Sequence, residues 1–136
     1  MARIILTNAS VVFGSTDLSD TVASVTLNST FDVVETTAFS STAAKTRLAG
    51  LADNSVTLEF HQDYATGEVE QTIYPLLGTA AAVIVKPNGA STSAFNPSYT
   101  CSAIISEWTP INGSVGELAT ASVTWPVTGA ITKAVA

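Results

Sequence analysis

The only histidine of the chain is the first place to look for chemistry. His61 follows Glu59 by two residues and precedes Asp63 by two. Residues two apart in a β-strand point to the same face, so an imidazole and two carboxylates would lie side by side and could hold a divalent metal. One strand cannot enclose a metal by itself, and the polar face of an antiparallel strand is normally solvated. We therefore interpret the triplet as a solvated strand face.

The sequence lacks the motifs that nucleophilic catalysis and nucleotide binding require. A nucleophile would need His61 within reach, but no Gly-x-Ser-x-Gly sequence occurs, and Gly-Ser-Val-Gly at 113–116 is typical of a turn. Neither glycine fingerprint for nucleotide phosphates is present. Cys101 is the single cysteine, which excludes an internal disulfide and a cysteine-based metal site. We predict that the protein is not an enzyme and takes no cofactor.

Two carboxylates, Glu68 and Glu70, are predicted to lie in the first turn of a short helix over about 67–78. Acidic side chains are favourable there because the amino end of a helix carries partial positive charge. Two residues apart on a helix they point to different sides, so they do not form a paired acid and base. Pro75 and Gly78 limit the helix to about three turns.

The elements that position these residues are mostly strands. Apolar and polar residues alternate with a period of two through much of the chain, most cleanly over 55–60. Seven or eight strands and one flanking helix predict a mainly β fold, a β-sandwich or barrel, in a single domain over 1–136. The predicted strands cover 4–6, 9–13, about 22–33, 55–60, 80–86, 99–108, 117–125 and 127–134.

A long segment without alternation separates two of these strands. Residues 35–54 are rich in Thr, Ser and Ala, and they include Lys45 and Arg47 among the five cations of the chain. Loops of this length inside a compact domain are usually functional. We predict that 35–54 is an interaction loop.

Composition indicates that copies of the chain cover one another. Charged residues make up 12% and hydrophobic residues 46%, so the surface is poor in charge and easily desolvated in a contact.

The apolar run 74–85 is too short to span a bilayer, and residues 1–6 lack the apolar core of a signal peptide, which predicts a cytoplasmic start. The net charge of −6 argues against binding to a phosphate backbone.

An ordered series of short motifs resembles the tail tube (major tail) proteins of long-tailed bacteriophages. Each motif alone is a strand or turn signature, and the weight lies in their order and spacing over nearly the whole chain. The series comprises Asp-Leu-Ser-Asp at 17–20, Thr-Ala-Phe at 37–39, Arg-Leu-Ala-Gly-Leu at 47–51, Ser-Val-Thr-Leu-Glu-Phe at 55–60, Asp-Tyr at 63–64, Tyr-Pro-Leu-Leu-Gly at 74–78, Asn-Pro-Ser-Tyr at 96–99 and Gly-Glu-Leu-Ala-Thr-Ala-Ser-Val at 116–123.

The resemblance implies a β-sandwich with one helix, assembled as hexameric rings that stack into a hollow tube. Each subunit would add strands to an inner β-barrel, and the segment 35–54 would reach the adjacent ring. The implied partners are copies of the chain, tape-measure and other tail proteins, and genomic DNA that passes without specific binding. The implied location is the virion tail, assembled in the host cytoplasm.

The scarcity of cations motivates one hypothesis about the contacts between subunits. We expect Lys45 and Arg47 of one copy to meet acidic groups such as Glu68 and Glu70 of a neighbour.

Two other classes of protein stay open. Another phage structural protein, such as a tail terminator or a capsid decoration protein, can share a small β fold. A carbohydrate-binding β-sandwich would use Trp108 or Trp125 to stack on sugars.

Overall fold

A computed structural model of the chain describes residues 3–39 and 43–136. These residues form a mainly β domain with one short α-helix, α1 at Val69–Ile73, and with 3-10 turns at Ser19–Thr21 and Tyr74–Leu76. The strands of the described part are β1 (Ser10–Phe13), β2 (Thr16–Asp17), β3 (Val22–Glu35), β4 (Arg47–His61), β5 (Ala80–Lys86), β6 (Ser98–Ile104) and β7 (Thr120–Ala134).

All seven strands belong to one antiparallel sheet in the order β2-β1-β5-β6-β7-β4-β3. This sheet curls strongly around its own interior. Phe13 of β1 lies with its ring 6.1 Å from that of Phe60 in β4 and 5.7 Å from that of Trp125 in β7. In a flat sheet β1 would be about 19 Å from β4, at about 4.8 Å for each strand step. The predicted mainly β fold with one flanking helix is confirmed.

The interior of the curl is filled by alternate residues of the central strands. In β4 the buried apolar residues are Val56, Leu58 and Phe60, and the residues between them are exposed. Complete burial of each such side chain contributes about 1.5–3 kcal/mol. The helix covers one end through Val69 and Ile73, both fully buried. The wider core adds Val11, Phe13, Leu18, Ala81, Val83, Val85, Cys101, Ala103, Ile105, Trp108, Ala121, Val123 and Trp125.

The predicted interaction loop over 35–54 is wrong in its bounds. β3 continues to Glu35 and β4 begins at Arg47, so residues 36–46 connect the strands, and of these 40–42 lie outside the described residues. The alternation that would have shown the strand is broken by a β-bulge. Gly50 and Leu51 of β4 together oppose Asp32, which lies between the paired residues Phe31 and Val33.

Three other predicted bounds also change. The helix predicted over 67–78 is shorter, because Gly67 has φ +80°, outside the helical region, and because the chain tightens into a 3-10 turn at Tyr74–Leu76. Residues 4–6 are not a strand. The segments 117–125 and 127–134 join in the single strand β7, which begins at Thr120 and passes through Pro126.

Candidate assembly surface

A two-stranded ribbon projects from the curled sheet, and we call residues 29–35 with 47–53 the arm. The ladder between β4 and β7 ends at the pair Asn54 and Val127. Beyond that point β3 and β4 pair only with each other among the described residues, from Ser29 opposite Asn54 to Glu35 opposite Arg47. Both outer edges of the arm therefore carry backbone groups without a ladder partner in the described chain.

The arm exposes apolar side chains on both of its faces. Phe31 and Val33 continue the core-facing side of β3 at intervals of two residues, and they are 60% and 67% exposed. Val34 and its cross-strand partner Leu48 lie on the opposite face and are 52% and 64% exposed. Leu51 at the bulge is 81% exposed. A two-stranded ribbon is at best marginally stable in water, so these exposed apolar faces make the arm a candidate contact surface.

The outer edge of β3 has no strand partner among the described residues. β3 is the last strand of the sheet and runs for 14 residues, with acidic groups only at Asp32 and Glu35. Proteins that remain monomeric shorten or charge such edges, because an unpaired strand is a template for strand addition. The edge of β3 is long and nearly uncharged, as a strand that pairs with another chain would be.

The predicted contact cations lie at the tip of the arm. Lys45 Nζ is 3.6 Å from Glu35 Oε1, and Arg47 is the cross-strand partner of Glu35. Both members of the ion pair are exposed, so the pair adds little to stability. Within residues 3–39 and 43–136 no ion pair joins Lys45 or Arg47 to Glu68 or Glu70.

Glu70 has a partner within its own subunit. Its Oε2 accepts a hydrogen bond of 2.6 Å from the indole N–H of Trp108 and a longer one of 3.4 Å from Gln62 Nε2. The first bond ties α1 to the segment that follows β6, and the second ties it to the residue that follows β4. Sequence reasoning missed this role because Glu70 and Trp108 are 38 residues apart and no local pattern links them.

Glu68 belongs instead to an acidic surface. It lines a groove of about 790 Å³ together with Asp17 and Asp20, beside the start of β3. Partial removal from water raises the pKa of the Glu68 carboxyl, and the negative charges of Asp20 and Asp63 raise it further. Glu68 is therefore a partly exposed carboxyl in negatively charged surroundings.

The outer face of β3, β4 and β7 carries hydroxyl groups in rows. Thr26, Thr57 and Thr124 are successive partners across the three strands, and the hydroxyls of Thr57 and Thr124 are 3.3 Å apart. The neighbouring row contains Ser24, Glu59 and Ser122. No Lys or Arg occurs between positions 48 and 61 or between 120 and 132.

Neither sequence-based ligand site is assembled in the described structure. His61 and Glu59 are exposed, and no group of three His, Cys, Asp or Glu residues is close enough to hold a metal in the part of the chain described. Trp125 is fully buried and donates its indole N–H to the Glu107 carbonyl at 2.8 Å. Trp108 is also buried and bonds Glu70, so neither indole offers a face for sugar stacking.

Comparison with known proteins relates this chain to others through its fold. No family model matches the sequence, and no curated protein matches it. Among solved structures the chain is similar to a chain of the cryo-EM structure of the anti-feeding prophage (AFP) baseplate, 6-fold symmetrised, with a TM-score of 0.62 and 10% sequence identity. The match covers 99% of this chain and 98% of that one, so the two share the fold over their whole lengths.

No helix in the described ranges has the length and apolar character needed to cross a membrane.

Proposed function

We propose that this protein is a structural subunit of a phage-tail-like particle, and that it forms a tail tube of stacked hexameric rings around a channel for genome passage. The observation that carries the proposal is the arm, whose two faces and two edges are all uncovered in the described chain. Its fold likeness to a chain of a sixfold baseplate supports the same class of particle.

The geometry of the arm suits contacts in two directions. Its free edges can each accept a strand from a neighbouring subunit, which would extend the sheet around a ring. Its apolar faces, with Phe31 and Val33 on one and Val34, Leu48 and Leu51 on the other, can be covered by the subunits of an adjacent ring. A ring needs a heterologous contact that closes, whereas stacking needs one that continues.

The hydroxyl rows suit the wall of the channel. The row of Thr26, Thr57 and Thr124 offers neutral groups, and Glu59 adds negative charge beside it. Phosphates are repelled by carboxylates and find no lysine or arginine there to slow them. We place this face toward the lumen, where DNA would pass without being bound.

Electron microscopy of the purified protein tests the proposal directly. Long hollow tubes are the expected result. Closed single rings would favour a tail terminator, and trimers would favour a capsid decoration protein. A monomer that persists at millimolar concentration would contradict all three assembly functions.

A paired substitution shows whether the arm makes the contact. Replacing Phe31 and Val33 by Ser should abolish tubes and leave the monomer folded, because both side chains are exposed in the single chain. Ile111→Ser is the matched control, since Ile111 is 84% exposed but lies outside the arm. Tubes formed equally by the natural chain, the double variant and Ile111→Ser would show that the arm is not the contact.

The charged tip is proposed to dock on the acidic surface around Glu68 of a neighbour. Glu70 retains its bond to Trp108 and would act there only as a nearby charge. Reversal of Lys45 and Arg47 to Glu should weaken assembly, and sodium chloride should weaken assembly of the natural chain. Each cation is also reversed singly, and Lys133→Glu is the control for either single reversal, because it changes the net charge by the same amount at an exposed position outside the arm. Assembly that is insensitive to both salt and reversal would exclude this contact.

A further inference from the structure

The arm leaves the curled sheet at a fork that is held by one buried polar side chain. Asn54 is 3% exposed and occupies the last position at which β4 pairs with β7. Its Oδ1 accepts a hydrogen bond of 2.6 Å from Ser29 Oγ in β3, and its Nδ2 donates one of 3.0 Å to the Gly129 carbonyl in β7. One amide therefore ties three strands together at the point where two of them diverge.

The strand on the far side of the fork is bent at the residue that Asn54 binds. Gly129 has φ +85°, a left-handed conformation that costs side-chain-bearing residues strain. The register between β6 and β7 also shifts here, between the pairs Thr100 with Thr132 and Ser102 with Thr128. β7 thus turns away from β4 directly after the fork, and the Asn54 side chain spans the gap that opens.

We infer that Asn54 is a positioning residue that sets the angle at which the arm leaves the curled sheet. Through that angle it sets the geometry of subunit assembly. The inference rests on the proposed function of the arm as the contact between subunits. No other hydrogen bond from a side chain in the arm or the fork reaches β7 in the described chain. Without the Asn54 bridge the arm keeps its connection through the continuing β3 and β4 backbones but loses its side-chain hydrogen bond to β7.

The chemistry of the site requires an amide. The Ser29 hydroxyl needs an acceptor and the Gly129 carbonyl needs a donor, and Asn offers both in one short planar group. Asp would accept from Ser29 but would place a second oxygen against the Gly129 carbonyl. Ala would remove both bonds, whereas Ser29→Ala would remove one bond and keep the bridge to β7.

Two measurements on the full chain test the inference. The first uses spin labels on Cys residues that replace Leu48 in the arm and Thr132 in β7, in a chain whose native cysteine is removed by Cys101→Ala. The labels give the distribution of distances between the arm and the curled sheet in the monomer. We expect a narrow distribution in this labelled parent, a broad one with Asn54→Ala, and an intermediate one with Ser29→Ala. The critical concentration for assembly of the unlabelled chain should rise about tenfold with Asn54→Ala. Asn112→Ala is the matched control, since it removes an exposed amide that bonds the Thr120 carbonyl away from the fork.

The outcomes separate this inference from the proposed function. A distribution as narrow in Asn54→Ala as in the parent, or an unchanged critical concentration, would overturn the role of Asn54. A natural chain that does not assemble would overturn the proposed function alone, because the distance distributions would still report whether Asn54 directs the arm. Circular dichroism shows whether each variant is folded. If Asn54→Ala is unfolded, Ser29→Ala and Asn54→Asp replace it, and distance distributions as narrow as the parent's in both would overturn the role of Asn54.

Discussion

Glu70 shows how a side chain with an apparently simple surface role can be part of the fold. Its carboxylate accepts the N–H of buried Trp108, which would otherwise lose its hydrogen-bond partner. We expect Glu70→Ala to lower the free energy of unfolding by roughly 1–3 kcal/mol, the cost of leaving a buried donor unpaired. Urea denaturation measures this loss. Glu117→Ala, at an exposed position, should change it little, and equal losses in both variants would contradict the assignment.

Glu68 should show the opposite behaviour, because its surroundings disfavour the charged form. Its pKa in the folded chain lies above the ordinary value of 4.5, so protonation stabilises the fold. That stability is fully present below pH 4.5 and is lost as the pH rises through the folded pKa. Glu68→Gln should therefore raise the melting temperature slightly at pH 7, and the gain should vanish near pH 4. A lower melting temperature at pH 7 would show that the charge is stabilising.

At the scale of elements, the sequence predicted strands where alternation was unbroken and missed them where local geometry interrupted it. The run at 55–60 was recognised because each apolar residue faces the core. The first part of the same strand, from Arg47, shows no alternation in the sequence, because the bulge at Gly50 and Leu51 shifts the pattern by one residue.

Long-range partners were also beyond the reach of the sequence. The partner of Glu70 is remote in sequence, so no local pattern predicts its bond to Trp108. The contact of Lys45 and Arg47 with a neighbouring subunit stays a prediction. Asn54 read as an ordinary polar residue at the end of a loop, since nothing near it in sequence indicates Gly129, 75 residues away. The fork is the point at which β4 and β7 stop pairing, and no local sequence pattern predicts where two strands remote in sequence separate.

The bend in β7 provides a test at the same scale. Gly129→Ala should destabilise the monomer by roughly 1–2 kcal/mol, because a left-handed backbone strains any residue with a Cβ atom. Gly113→Ala is the matched control, since its added Cβ would meet Ala119 at 3.5 Å, an ordinary contact. Thermal melting compares the two. An equal, small effect at both positions would mean that β7 can bend elsewhere.

For the whole molecule, the balance of forces in assembly has a temperature signature. The proposed contacts bury apolar groups such as Phe31 and Leu48, and only 12% of the residues are charged. Because hydrophobic stabilisation weakens on cooling, polymers should shorten or dissociate between 30 °C and 5 °C. Sedimentation velocity at the two temperatures measures this change. Polymers that grow on cooling would point to contacts dominated by hydrogen bonds and charge.

The enclosed tryptophans give the molecule a reporter for folding that is separate from assembly. In the single subunit Trp125 is fully buried and Trp108 is only 9% exposed. Their fluorescence should shift when the chain unfolds and stay constant when folded subunits join. Tryptophan emission that changes during assembly would reveal that the interior of the curled sheet itself rearranges as each subunit is added.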